Sequence, residues 1–183
     1  MANLGTLVAA SFVVALVLTA VGTMARLRWV ERISDLVFVV FYLSAGALIW
    51  GVHQRLADQI PLMWFFTILA LVALALQLVN QILVAVSVVT FAKVAIVQTV
   101  AFAVLLLWMG AVSVITVSIG ELPQGLGWLG LLTVVGAVAL LAVMSRDTAL
   151  VKGERNPTRT ELMVAVVPFV ALTAWFYWAG ASL

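Results

Sequence analysis

Cysteine is absent from the 183-residue chain, which removes disulfides, thiolate metal centres and cysteine nucleophiles together. Histidine occurs once, at His53. A bis-histidine haem site or a multi-histidine zinc site therefore cannot be built from one chain. Charge is scarce as well. Only 9% of residues are Asp, Glu, Lys or Arg and 66% are hydrophobic, whereas an ordinary soluble domain has about 25% charged and about 45–50% apolar residues. A globule of this length has too much surface to cover for so few polar groups. Intrinsic disorder needs the opposite composition. The composition points to a polytopic membrane protein.

The apolar residues fall into six runs. A helix needs about 20 apolar residues to cross a hydrocarbon core of about 30 Å. The runs predict an all-α, six-helix transmembrane bundle in a single domain, with spans at about 4–25, 34–52, 61–87, 93–119, 125–144 and 161–183. Ser34 is placed to cap the second span. Pro61 stands where the third would open, and Thr158 or Thr160 is placed to cap the sixth. Sixty residues from Pro61 to Gly120 contain one charge, Lys93. As one helix they would be about 90 Å long, some three bilayers, so the chain must turn within them. Ser87 to Thr90, just ahead of Lys93, is the expected place. The first apolar run has no basic segment before it and no small-residue cleavage site after it, so it reads as a retained helix rather than a signal peptide.

Charge gives an independent topology. Arg26, Arg28 and Arg32 sit in the first connection, Lys93 in the third, and Arg146, Lys152, Arg155 and Arg159 in the fifth: eight of nine basic residues on one face. The positive-inside rule makes that face cytoplasmic and both termini extracytoplasmic. Five acids share the face, leaving it net basic and suited to anionic lipid head groups. The lipid bilayer is the first partner expected, with a membrane-protein partner or a second copy of the chain beside it. No feature suggests nucleic-acid binding. Trp50, Trp64, Trp128, Trp175, Trp178 and Tyr177 fall near the outer ends of their spans, as an interfacial aromatic belt would. The alternative for Trp175 and Trp178 is a cleft for a pigment, quinone or lipid tail.

The catalytic inventory is thin. With these boundaries Asp35, Asp58, Glu121 and Glu161 lie at span ends and no acid lies within a span, which argues against proton-coupled transport. No Walker loop, Gly-x-Ser-x-Gly elbow or His-Glu-x-x-His motif is present. No metal site, cofactor or enzyme activity is expected. The main intramembrane polar group is Gln77, Asn80 and Gln81, which share a helix face at i, i+3 and i+4. Gln98 on the next span matches Gln81 in depth, so a Gln81–Gln98 hydrogen bond is expected. These amides read as interhelical glue, or as the lining of a site for a neutral solute. His53, in what reads as a polar turn, is expected to be solvated, with axial ligation of a haem or magnesium as the alternative. Pro168 should kink the sixth span and is the candidate gate. Glycines 125, 127, 130 and 136 allow close helix approach.

Leu122-Pro123-Gln124-Gly125-Leu126-Gly127-Trp128-Leu129-Gly130 resembles the Leu-Pro-x-x-Leu-Gly-x-x-Gly entry to a late helix in an uncharacterised family of bacterial multi-pass membrane proteins. Glu161 and Trp175 in the last span look similar too. The likeness covers about sixty C-terminal residues. It implies a bacterial inner-membrane protein and carries over no functional residue. Three functions follow as expectations: an accessory, assembly or scaffold subunit of a membrane complex; a small carrier or channel for a neutral or lipid-like solute; and a pigment- or cofactor-binding membrane protein.

Overall fold

The computed structural model describes residues 2–145 and 159–183. Six helices form among them: α1 (Ala2–Ala25), α2 (Arg28–Leu56), α3 (Met63–Ala85), α4 (Phe91–Ile119), α5 (Gln124–Ser145) and α6 (Arg159–Ser182). No strand occurs among the described residues. At 1.5 Å per residue the helices are about 33–44 Å long. Five contain a segment long and apolar enough to cross a membrane, and the apolar part of α6, Val166–Ser182, is shorter. Leu107, Leu132, Val135 and Ile96 stand exposed on the outside of the bundle. Such helices, apolar on every side, are suited to lipid rather than water, which is compatible with a multi-pass membrane protein.

Each helix packs on the next in chain order, and α6 returns to α1, so the six close into a ring; α2 also touches α6. The ring closes where Gly5 of α1 and Gly180 of α6 bring their backbones together, and a Cβ at Gly5 would stand 2.9 Å from the Gly180 Cα. The termini and the second and fourth turns share one end of the bundle, here the even-turn end. The first and third turns define the odd-turn end. Gln59 and Glu121 join the second and fourth turns by a 3.2 Å hydrogen bond at the even-turn end.

The turns are short because the chain reverses through left-handed residues. Arg26 has φ 56° and Ser87 φ 62°. At each, two backbone N–H groups fold back onto the last helical turn: Arg26 N to Thr23 O at 3.4 Å and Leu27 N to Gly22 O at 2.9 Å, and Ser87 N to Val84 O and Val88 N to Leu83 O, both at 2.9 Å. This is the double closure of a Schellman motif, with Arg and Ser where glycine is usual. Gly120, at φ 79°, closes α4 by the simpler αL form, its N–H bonded to Thr116 O at 3.1 Å. The expected turn at Ser87 to Thr90 is present, between Ala85 and Phe91.

Several expected boundaries need correction. α2 begins at Arg28, not Ser34, because the tight turn needs only Arg26 and Leu27 between the helices. Ser34 is therefore no cap. It is 1% exposed, and its Oγ donates to Ala15 O at 2.8 Å and lies 2.6 Å from Thr19 Oγ1, joining α2 to α1. α2 also runs on to Leu56, not 52. The apolar rhythm Ala45, Leu48, Val52, Leu56 continues through the polar His53-Gln54-Arg55, and all four apolar residues are buried. Pro61 precedes α3, whose first residue is Met63. Thr160 falls within α6, and Thr158 lies outside the described residues, as do Arg146, Lys152 and Arg155.

Candidate functional site

The ring surrounds a partly open apolar cavity of about 190 Å³. Phe12 and Leu16 of α1, Phe41 and Tyr42 of α2, Leu74 and Gln77 of α3, Trp108 and Met109 of α4, and Leu172 and Phe176 of α6 contribute to its wall. A second space of about 240 Å³ lies between α4, α5 and α6, and the two share Phe102, Leu106, Phe169 and Leu172. All six helices therefore border the interior. An apolar cavity of about 150 Å³ accepts benzene and stays dry, so these spaces suit a ring or a stretch of hydrocarbon chain. Aromatic contacts stiffen one side: Phe41 meets Phe12 at 4.9 Å and Phe176 at 5.6 Å between centroids.

The amides do not act as one group. Gln77 is buried and is the amide on the cavity wall. Gln81 does not pair with Gln98. Its Nε2 donates to Asp35 Oδ1 at 2.7 Å, because the longer α2 places Asp35 inside the helix rather than at its start. Asp35 was expected at a span end; it is the eighth residue of α2. Asn80 Nδ2 and Gln98 Nε2 are buried without a hydrogen-bond partner. Periodicity located the shared face of Gln77, Asn80 and Gln81, but the partner comes from a helix on the other side.

His53 is a second correction. It is 2% exposed, in the last turn of α2. Its Nδ1 lies 3.1 Å from Thr67 Oγ1 of α3. Trp50 stacks on the ring at 5.1 Å and Trp64 meets it edge-on at 4.1 Å. Nε2 is buried and has no partner. Bonding Nδ1 to a hydroxyl sets the role of the other nitrogen: when Nδ1 donates, Nε2 presents a lone pair.

Trp175 departs from the expected belt. It is fully buried and meets Trp108 edge-on at 5.9 Å. Neither indole N–H has a hydrogen-bond partner, and Ser113 Oγ and Thr116 Oγ1 have none either. Ser113 Oγ and Trp175 Nε1 both stand close to where a Cβ on Gly130 would fall, so any side chain there would collide with them. Trp178 does stand at the rim, 40% exposed, with its ring over Gly125. Trp50, Trp64, Trp128 and Tyr177 are also exposed. The sequence reading missed Trp108. Its signal was position: a tryptophan eleven residues from the end of α4 is far from any interface.

Pro168 is buried within a helix that continues through it, and it lines the second space. Among the described residues no three or more His, Asp or Glu gather as a metal site would require. The interior is lined mainly by apolar side chains, with Gln77 as the amide on its wall. No family model, curated protein or solved structure matches the chain.

Proposed function

We propose that this chain is a non-catalytic, six-span membrane protein whose helix ring binds the hydrocarbon part of a lipid-like solute, as a carrier or binding protein. The observation that supports it is the apolar interior space, about 190 Å³ in its first part, with Gln77 as the amide on its wall. A charged solute would find no opposite charge on that wall, and burying an unpaired ion costs several kcal/mol, on the order of its desolvation penalty. The accessory-subunit reading rests on absent motifs, whereas the interior is a positive feature.

The placement is the plasma membrane of a bacterium, with α6 as the sixth span, the odd-numbered turns cytoplasmic and both termini outside. It rests on the positive-inside distribution and the likeness around Leu122 to Gly130. A reporter fused after Leu183 should be active only outside the cytoplasm; cytoplasmic activity contradicts the topology.

Native mass spectrometry tests the function. Extracted from its own membranes in mild detergent, the chain should carry an apolar molecule of defined mass. Ala45→Phe, which fills the cavity from α2, should abolish that mass while the protein stays folded. A particle with fixed numbers of other chains and no small molecule would instead make it an accessory subunit.

A further inference from the structure

We infer that the guest is an amphipath: an uncharged hydroxyl head held by the side-chain amide of Gln77, and a hydrocarbon tail. The inference rests on the cavity reading above and names the chemical class of its ligand. Three side chains on the cavity wall carry a nitrogen or an oxygen: Tyr42, Gln77 and Trp108. The indole nitrogen of Trp108 is sealed within the packing. Gln77 differs. The residue is only 4% exposed, yet its amide is not sealed off in that way, and it has no hydrogen-bond partner among the described residues. One turn on, Gln81 donates to Asp35 at 2.7 Å. Gln77 shares that face of α3 but meets the cavity instead of a carboxylate. The hydroxyl of Tyr42, on the same wall, is likewise unpartnered among the described residues. A buried amide without a partner is rare in folded proteins and lacks the hydrogen bonds that water would give it. A polar atom on the guest restores them.

The chemistry of the head follows from these two groups. A primary amide both donates and accepts, and so does a phenol. A hydroxyl on the guest can donate to the Gln77 carbonyl and accept from its N–H or from Tyr42. A ketone or ester only accepts, so the Gln77 carbonyl would stay without a donor from it. The cavity wall holds no ionised side chain, so a carboxylate or phosphate head would be buried without a counter-charge. The tail has an apolar course from the cavity into the second space, along the shared wall of Phe102, Leu106, Phe169 and Leu172.

The test is a nuclear magnetic resonance titration of the full chain in deuterated lipid nanodiscs. Glutamine side-chain amides are labelled with ¹⁵N and leucine methyls with ¹³C, and Gln77 is assigned by Gln77→Leu. Three probes of one chain length are compared, undecan-1-ol, undecan-2-one and undecane, each at known concentration in the lipid. Undecan-1-ol should move a Gln77 amide proton downfield, saturably. Undecane should shift the Leu74 and Leu172 methyls without that downfield move. The alcohol should bind about tenfold tighter than the alkane, the scale of one neutral hydrogen bond, and Gln77→Leu should remove that preference while undecane still binds. Gln77→Leu breaks no hydrogen bond of the fold, so the bundle should survive it; should it not, the wild-type titration decides alone. If undecan-2-one binds as tightly as the alcohol, the hydroxyl head is overturned. If alcohol and alkane bind equally and the Gln77 amide does not move, the inference is overturned and the cavity reading survives. If no probe reaches a cavity residue, the cavity reading itself is overturned, and this inference with it.

Discussion

The first three helices and the last three differ in how their buried polar side chains are used. In α1–α3, polar side chains reach across helix boundaries and find partners: Ser34 to Ala15 and Thr19, Gln81 to Asp35, His53 to Thr67. In α4–α6, helices approach over bare glycine backbone. A Cβ at Gly127 would stand 2.7 Å from Ser113 O, and Gly130 lies directly under Ser113 and Trp175. Of the seven buried side-chain polar atoms without a partner among the described residues, five belong to this half: Gln98, Trp108, Ser113, Thr116 and Trp175. The second space also lies wholly between these helices. Hydrogen bonds between helices fix a wall by using up its polar atoms. Packing on glycine fixes a wall and leaves them open. The first half is built as a frame, the second as a lining.

Substitutions can break this contrast, and thermal unfolding in detergent, followed by circular dichroism, measures each. The largest effect should come from the packed half. Gly127→Val drives a branched side chain into the α4 backbone at Ser113 and Val117. Overpacking of this kind costs about 3 kcal/mol, or a fall in Tm of about 10 °C for a chain of this size. Next comes the framed half. Gln81→Leu removes the amide and leaves the Asp35 carboxylate without that donor, at about 1–3 kcal/mol. Ser34→Ala should cost about 0.6 kcal/mol, the usual size of a hydrogen bond between membrane helices. The smallest effect is expected from Asn80→Leu, near zero or slightly stabilising, because it deletes an Nδ2 that has no partner. Equal losses for Gln81→Leu and Asn80→Leu would erase the distinction between paired and unpaired amides.

Much of this architecture was legible in the residues. Apolar runs marked where helices lie, and a lone lysine in sixty residues required the turn that Ser87 makes. The glycines of α5 announced close approach, and Gly125, Gly127 and Gly130 provide it. The interior was less legible, for a physical reason. Spans were bounded where charge appeared, yet a helix can carry charge on one face while its apolar stripe continues. That is how Arg28, Glu31 and Arg32 came to lie within α2, and how His53 was placed in a turn. Once α2 is lengthened at both ends, Asp35 comes level with Gln81 and His53 with Thr67. Depth along a helix can be counted from sequence. Which neighbour faces a side chain depends on how the ring closes, and no spacing within one helix encodes that. Gln98 therefore matched Gln81 in depth and still was not its partner.

A guest-binding apolar interior is the central claim, and contacts between a guest and its wall test it most directly. Leucine methyls labelled with ¹³C, in deuterated nanodiscs, report nuclear Overhauser contacts to added protonated undecane. Leu74, Leu105 and Leu172 line the cavity, whereas Leu43, Leu107 and Leu132 face outward. Saturable contacts to the first three, lost in Ala45→Phe, are the expected result. Contacts confined to the outward three, rising without saturation as undecane dissolves in the lipid, would contradict it.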